Sequence, residues 1–278
     1  MTESKIQGIK DKKVLKDKIV MLTAYDYPLA EILDKASIDI ILVGDSLANV
    51  ALGLGSTKEV GMDEMVHHAK AVRRAVKNAL LVGDMPYMSY QLNSKEAVNN
   101  AKRFADEASC DAVKLEWFDK CLAVAEKIVS SGIPVMGHVG LTPQTADSFK
   151  VQGKKAKAAK EIIEQAKHLQ KAGCFAVVLE CIPYELSKII TEELLIPTIG
   201  IGAGKYCDGQ VLVSQDLLGF FDRTNPKFVK QYVNLNLLAS EAIKQFKREV
   251  KENIFPDEDH SYKMSSSEAK ILGVKLAK

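Results

Sequence analysis

Eight short apolar runs, separated by stretches of good helix formers, constrain this chain more than any other feature. They are Lys18–Asp26, Ile38–Asp45, Ala79–Asp84, Asp111–Glu116, Pro134–Leu141, Cys174–Cys181, Ile196–Gly204 and Gln210–Asp216. Within each run the apolar residues are consecutive rather than alternating. That is the pattern of parallel strands covered by helices on one face and packed on the other. Between them, Asp63–Val76, Ser94–Glu107, Asp119–Val129, Ala156–Ala172 and Tyr184–Leu194 read as helices. The first of these carries acids at its start and bases towards its end, which suits the helix dipole. A βα unit repeated eight times in 278 residues matches a closed barrel, which needs roughly 250. The predicted fold is therefore α/β, a (β/α)8 or TIM barrel, rather than an open doubly wound sheet. The barrel is assigned to residues 1–264 as one domain, with a long closing helix at Asn225–Glu252. Residues 265–278 form a polar tail without an assigned role, in which only Ser265–Lys275 has helical character.

Charge and cysteine usage narrow the function. Lys plus Arg (38) nearly balances Asp plus Glu (36), for a net charge of +2. No field of one sign is available to attract nucleic acid or an anionic membrane, so a small-molecule substrate is expected. No apolar run approaches the roughly 18 residues of a membrane span, and the first residues, MTESKIQGIKDKKVLKDK, lack the apolar stretch of a secretory signal. The five cysteines are scattered, with no CxxC pair or His/Cys cluster. They are expected to be reduced, in a cytoplasmic protein.

The acids carry the chemical signal. Asp26, Asp45, Asp84, Glu116 and Glu180 each lie at or next to the end of an apolar run, on five different strands. In a barrel those ends meet at one rim, where active sites form. Grouped carboxylates are costly unless a cation neutralises them or one keeps its proton. An oxygen-rich set of this kind suits Mg²⁺. For any one acid, capping the following helix is the plain alternative. Lys114 stands two residues before Glu116 and shares its face of the strand. It is read as holding a substrate carboxylate, forming a Schiff base, or pairing with an acid. His138 is read as a substrate hydrogen-bond donor or an acid/base, against the alternative of a satisfied core group. His67-His68 read as surface, Cys181 as packing, and Tyr25 and Tyr87 as pocket lining or packing. Gly200–Lys205 (GIGAGK) is a weak candidate for an anion-binding turn or a close approach of ligand to backbone. Ser46–Gly61 and Thr142–Lys155 are long connections at the active rim, where binding loops or lids occur.

These segments resemble the ketopantoate hydroxymethyltransferase family. The resemblance is carried in order by TAYDYPLA (Thr23–Ala30), LVGDSL (Leu42–Leu47), GDMPYMSY (Gly83–Tyr90), VKLE (Val113–Glu116), GHVGLTPQ (Gly137–Gln144), FKVQGK (Phe149–Lys154), VLECIP (Val178–Pro183) and IPTIGIGAG (Ile196–Gly204). It runs from about Lys18 to His260-Ser261-Tyr262. Departures are TADS before FKVQGK, Ala48 after DSL, and Trp117-Phe118 after VKLE. The resemblance implies a Mg²⁺-dependent barrel that moves a hydroxymethyl unit from 5,10-methylenetetrahydrofolate to 3-methyl-2-oxobutanoate, in pantothenate biosynthesis. It implies Asp45, Asp84 and Glu116 at the metal, Asp45, Ser46, Asp84 and Lys114 at the keto acid, Glu180 as base, and a homodecamer. His138 is placed with the substrate-binding groups.

The chemistry agrees with those roles. A keto acid chelates Mg²⁺, which stabilises the enolate left when C3 loses its proton. Glu180 would need desolvation to serve as the base. The alternative is a Mg²⁺-dependent C–C lyase of the phosphoenolpyruvate mutase/isocitrate lyase type. The lyases of that group carry a K-[KR]-C-G-H loop, which no cysteine here has around it.

Overall fold

The structure, a computed structural model, describes residues 2–146, 150–222 and 226–273. The elements run α1 (Thr2–Leu15), β1 (Ile19–Thr23), α2 (Tyr27–Lys35), β2 (Ile40–Val43), α3 (Leu47–Val50), α4 (Met62–Ala75) and β3 (Leu80–Asp84). Then follow α5 (Ser94–Ala108), β4 (Ala112–Lys114), α6 (Cys121–Ser130), β5 (Val135–Gly140), α7 (Ala156–Lys171) and β6 (Ala176–Glu180). The chain continues with α8 (Tyr184–Glu193), β7 (Thr198–Ile201), β8 (Gly209–Leu212), α9 (Ser214–Leu218), α10 (Leu235–Lys251) and α11 (Ser266–Ile271).

The eight strands pair in sequence order into a closed barrel, and every pairing is parallel, including β8 back to β1. Seven of the predicted runs contain one of these strands and the eighth overlaps β8, which starts one residue earlier at Gly209, so the (β/α)8 prediction holds. The strands are shorter than the runs because residues at the run ends turn into the loops that build the rim. The interior is filled by Met21, Ile40, Leu42, Leu80, Val82, Ala112, Met136, Ala176, Val178, Ile199 and Val211, all buried. Along each strand these recur at every second residue, the period that sends alternate side chains to one face.

The N-terminal helix α1 was not foreseen. Only Ile6 and Ile9 of its 14 residues are buried, and both join the barrel core. A helix that buries so little among lysines leaves almost no periodic signal. α2 was also missed. It is short, and it is opened by Asp26, whose side chain accepts from the Leu29 amide.

By density of contacts the chain divides into two compact units. One comprises Met1–Leu217 with Thr224–Lys230, the other Leu218–Arg223 with Gln231–Lys278. In the second unit the long helix expected at Asn225–Glu252 starts only at Leu235, where Asn234 caps it by accepting from the Leu237 amide. The tail stretch with helical character, Ser265–Lys275, forms a short helix over Ser266–Ile271, with Ser265 as its cap.

Candidate active site

The inward-facing series of the barrel becomes polar at one end. Two residues beyond Val82, Ala112, Met136 and Val178 stand Asp84, Lys114, His138 and Glu180, so the period that packs the core also aims these groups at a common centre. Asp84 and Lys114 are direct partners in the β3–β4 ladder. The Lys114 ammonium donates to both Asp84 oxygens, at 2.7 and 2.9 Å. The Asp45 backbone N–H donates to Asp84 Oδ2 at 3.2 Å, which brings the ends of β2 and β3 together.

Burial sets the electrostatics. It drives the Asp84 carboxyl up to about 7; Lys114 opposes this and Asp45 adds to it. Burial also pushes Glu116 well above the usual carboxylate range; Lys114 opposes the rise, and Asp45, Asp84 and Glu180 reinforce it. For Lys114 burial works against the charged form. The acids Asp84, Glu116 and Asp45 outweigh it, so the ammonium is held more firmly than usual. One buried cation cannot neutralise several buried acids, so burial still drives Asp84 and Glu116 towards their protonated forms.

His138 lies between two of those acids. Its Nε2 is 3.3 Å from Glu180 Oε2 and its Nδ1 is 3.6 Å from Glu116 Oε1. Neither contact has hydrogen-bond geometry, and both ring nitrogens are buried without a partner among the described residues. Burial lowers the pKa of the ring against the opposing pull of Glu180, with Lys114 adding to the fall and Asp45 opposing it. The net lowering favours the neutral imidazole, which can both donate and accept. Glu180 is the most open of the acids at this centre, its side chain 17% exposed against 1% for Glu116. The desolvation expected for it is thus only partial.

Tyr25, Ser46 and His68 complete the site, together with Gln144, which sequence reasoning did not single out. The Tyr25 hydroxyl is 2.7 Å from Ser46 Oγ, and the Tyr25 carbonyl is 2.7 Å from His68 Nδ1. His68, read as surface, therefore braces the loop that carries Tyr25. Gln144, from the loop after β5, is fully buried. Its side chain donates to Asp45 Oδ2 at 2.9 Å and its backbone N–H to Glu116 Oε2 at 3.0 Å. The only sequence signal for Gln144 was its place at the end of GHVGLTPQ. An isolated amide in a loop has no period to reveal it.

Other candidates resolve differently. Asp26 is spent on capping α2, the plain alternative for a strand-end acid. In Gly200–Lys205, a Cβ on Gly204 would stand 2.3 Å from Tyr184 Cβ, and one on Gly202 would stand 2.9 Å from Phe228. Those glycines admit protein side chains. Cys181 has φ of 49° and is half-buried; a Cβ on Gly202 would lie 3.2 Å from its Sγ. The TADS segment falls partly outside the described residues.

Gly140 has a role of its own. It faces Glu180 in the β5–β6 ladder with φ of 98°, and a Cβ there would lie 2.3 Å from the Glu180 carbonyl oxygen. Gly140→Ala is therefore expected to cost about 1–3 kcal/mol through left-handed strain and crowding. Because the clash is with the backbone of Glu180 itself, it should also impair activity. Urea unfolding together with kcat measures both effects, and an unchanged kcat would show that Gly140 does not help to set the position of Glu180.

The donor set fits a hard divalent cation. The side chains are carboxylates, they are short of positive charge, and Asp45 and Asp84 are adjacent. Among the described residues, no three His, Cys, Asp or Glu side chains converge to enclose one ion.

The family model for ketopantoate hydroxymethyltransferase matches residues 3–258. The chain belongs to the ketopantoate hydroxymethyltransferase family. It is 53% identical over 265 residues to a 3-methyl-2-oxobutanoate hydroxymethyltransferase of Syntrophomonas wolfei subsp. wolfei, covering 94% of this chain and 96% of that one. A protein of the same name from Clostridium acetobutylicum is 52% identical over 264 residues, with the same coverage. Among solved structures, a phosphonopyruvate hydrolase in complex with oxalate and Mg²⁺ superposes with a TM-score of 0.60 at 11% identity, covering 97% of this chain and 95% of that one. A 2,3-dimethylmalate lyase of the phosphoenolpyruvate mutase/isocitrate lyase superfamily gives 0.59 at 12% identity, covering 97% and 94%. At such identities these members of the alternative class share the fold with the family, and the likeness carries nothing about chemistry. Among the described residues, no helix is long and apolar enough to cross a membrane.

Proposed function

We propose that this chain transfers a hydroxymethyl unit from 5,10-methylenetetrahydrofolate to 3-methyl-2-oxobutanoate, giving 2-dehydropantoate for pantothenate biosynthesis. The observation that carries the reading is the convergence of Asp45, Asp84, Lys114, Glu116, His138 and Glu180 at one barrel end, in a chain of this family. Asp45 and Asp84 would hold Mg²⁺, with Glu116 nearby as a further acid. When bound, the ion supplies a Lewis acid that polarises the keto oxygen and makes the C3 proton more acidic.

The chain's own groups do the rest. The Lys114 ammonium has three N–H donors, of which Asp84 accepts two. The third is available to the substrate carboxylate. Ser46, held by the Tyr25 hydroxyl, offers a further hydrogen bond to that acid. His138 presents a buried, neutral donor to a substrate oxygen; among the described residues neither ring nitrogen makes a hydrogen bond. Glu180, the least enclosed acid, removes the C3 proton. The enolate carbon bonds to the folate-borne carbon, whose two C–N bonds break as water supplies the hydroxyl. The proton from C3 and the second proton of that water end on the two nitrogens of the departing tetrahydrofolate. The reading includes a cytoplasmic homodecamer whose catalytic domain spans 1–264, with 265–278 as a tail.

Proton exchange tests the reading without folate. In D₂O with Mg²⁺, the protein should erase the C3–H signal of 3-methyl-2-oxobutanoate in proton NMR spectra, and without the metal the signal should persist. No exchange under either condition from a folded sample would overturn the assignment of the substrate.

A further inference from the structure

Gln144 hydrogen-bonds two of the acids, Asp45 and Glu116. Both of its side-chain N–H donors are used, one on Asp45 Oδ2 at 2.9 Å and one on the Met85 carbonyl at 3.0 Å. Its Oε1 accepts from the Tyr90 hydroxyl at 2.5 Å, and that hydroxyl in turn accepts from the Glu116 backbone N–H at 3.3 Å. Its own backbone N–H donates to Glu116 Oε2 at 3.0 Å. Three barrel positions are thereby linked through one residue of the β5–α7 loop: Asp45 after β2, Met85 after β3 and Glu116 after β4. Gln144 is fully buried and Tyr90 is 1% exposed, so no water competes for these bonds.

The bonds are also selective. In each of the two carboxylates Gln144 engages one oxygen only. Among the described residues, Asp45 Oδ1 and Glu116 Oε1 accept no hydrogen bond, while Oδ2 and Oε2 are held. A carboxylate with one oxygen pinned cannot rotate, and the other oxygen is then presented in a fixed direction. Partners that orient ligating groups in this way are typically worth about 10–100-fold in metal affinity.

We propose that Gln144, backed by Tyr90, is a positioning residue that fixes which oxygens of Asp45 and Glu116 face the divalent cation, and so couples the β5–α7 loop to metal binding. This rests on the reading of Asp45 and Glu116 as groups of the metal site. It requires no contact between Gln144 and the substrate.

The test compares wild-type protein with Gln144→Met, Gln144→Glu and Tyr90→Phe. Mn²⁺ affinity is measured by electron paramagnetic resonance without substrate, alongside kcat, KM for the keto acid and the thermal midpoint. Gln144→Met removes the amide and keeps the volume. It should weaken Mn²⁺ by about 10–100-fold, and by more than it changes KM at saturating metal. Tyr90→Phe should weaken Mn²⁺ less, and should add little in the Gln144→Met background, because the two act through one network. Gln144→Glu stays polar if the methionine variant does not fold; it loses the donors and should weaken Mn²⁺ at least as much. Folded variants at Gln144 that bind Mn²⁺ within about threefold of wild type would overturn the role of Gln144 and leave the proposed function standing. Wild-type protein that binds no Mn²⁺ would overturn the metal reading itself, and the positioning role with it.

Discussion

Glu180→Gln should leave 3-methyl-2-oxobutanoate bound while exchange of its C3 proton falls by about 10²–10⁴-fold, the usual contribution of a positioned general base. The substitution keeps shape and removes only the ability to accept a proton. Asp45, Asp84 and Lys114 are untouched, so binding of the keto acid, followed by the quenching of a ligand NMR signal or by calorimetry, should change little. The position of Glu180 supports the assignment. It ends β6 on the inward-facing series, its Oε2 is 3.3 Å from His138 Nε2, and it is more open than Glu116. His138 is the nearest competitor for the role. If Glu180→Gln exchanges C3 at the wild-type rate, Glu180 is not the base, and His138→Asn becomes the variant that must lose exchange.

Lys114→Met should destabilise the protein by about 3–5 kcal/mol, because it strands a buried carboxylate. Lys114 and Asp84 have side chains only 6% and 2% exposed, so no water can replace the ammonium. The loss should depend on pH. In the native protein the Asp84 carboxyl already sits near 7, above its ordinary value of 3.8. The folded state therefore holds a proton that the unfolded chain has released between about pH 4 and 7. The contribution of this group to stability falls as pH rises through that window. Lys114 is the main influence that limits the rise, so removing it extends the window upwards. The deficit of the variant should accordingly be larger at pH 8 than at pH 5, measured by urea unfolding without divalent cations. A deficit equal at both values would mean that lost packing of the lysine stem, rather than the stranded charge, dominates.

Much of this molecule is local in origin and could be read from the chain. The eight strands and most intervening helices follow from apolar period, and the barrel from their number and spacing. A residue two places beyond a buried strand residue keeps the same facing. Asp84 and Glu180 were legible as strand-end acids and Lys114 from its spacing to Glu116, while His138 was legible only as a polar group in the fifth strand. The same rule could not separate Asp45 from Asp26. Both stand at the end of an apolar run, yet Asp26 turns back to cap α2 while Asp45 meets Asp84. That choice depends on the turn that follows each strand, which carries no periodic signal. Helix α1 was hidden for a related reason, since its two buried isoleucines gain meaning only where the barrel end receives them. The start of α10 at Leu235 was likewise obscured, because a continuous stretch of helix formers does not show where a cap at Asn234 will halt it. Tyr25, Tyr90 and Gln144 lie far apart in the chain and have no shared spacing. Only closure of the barrel sets them beside Ser46, Glu116 and Asp45. The sequence by itself determined the strands, the barrel and the residues that point into it. Tertiary structure alone decided which acids share one site and what holds them, because hydrogen bonds between distant segments depend on closure and leave no trace in local period.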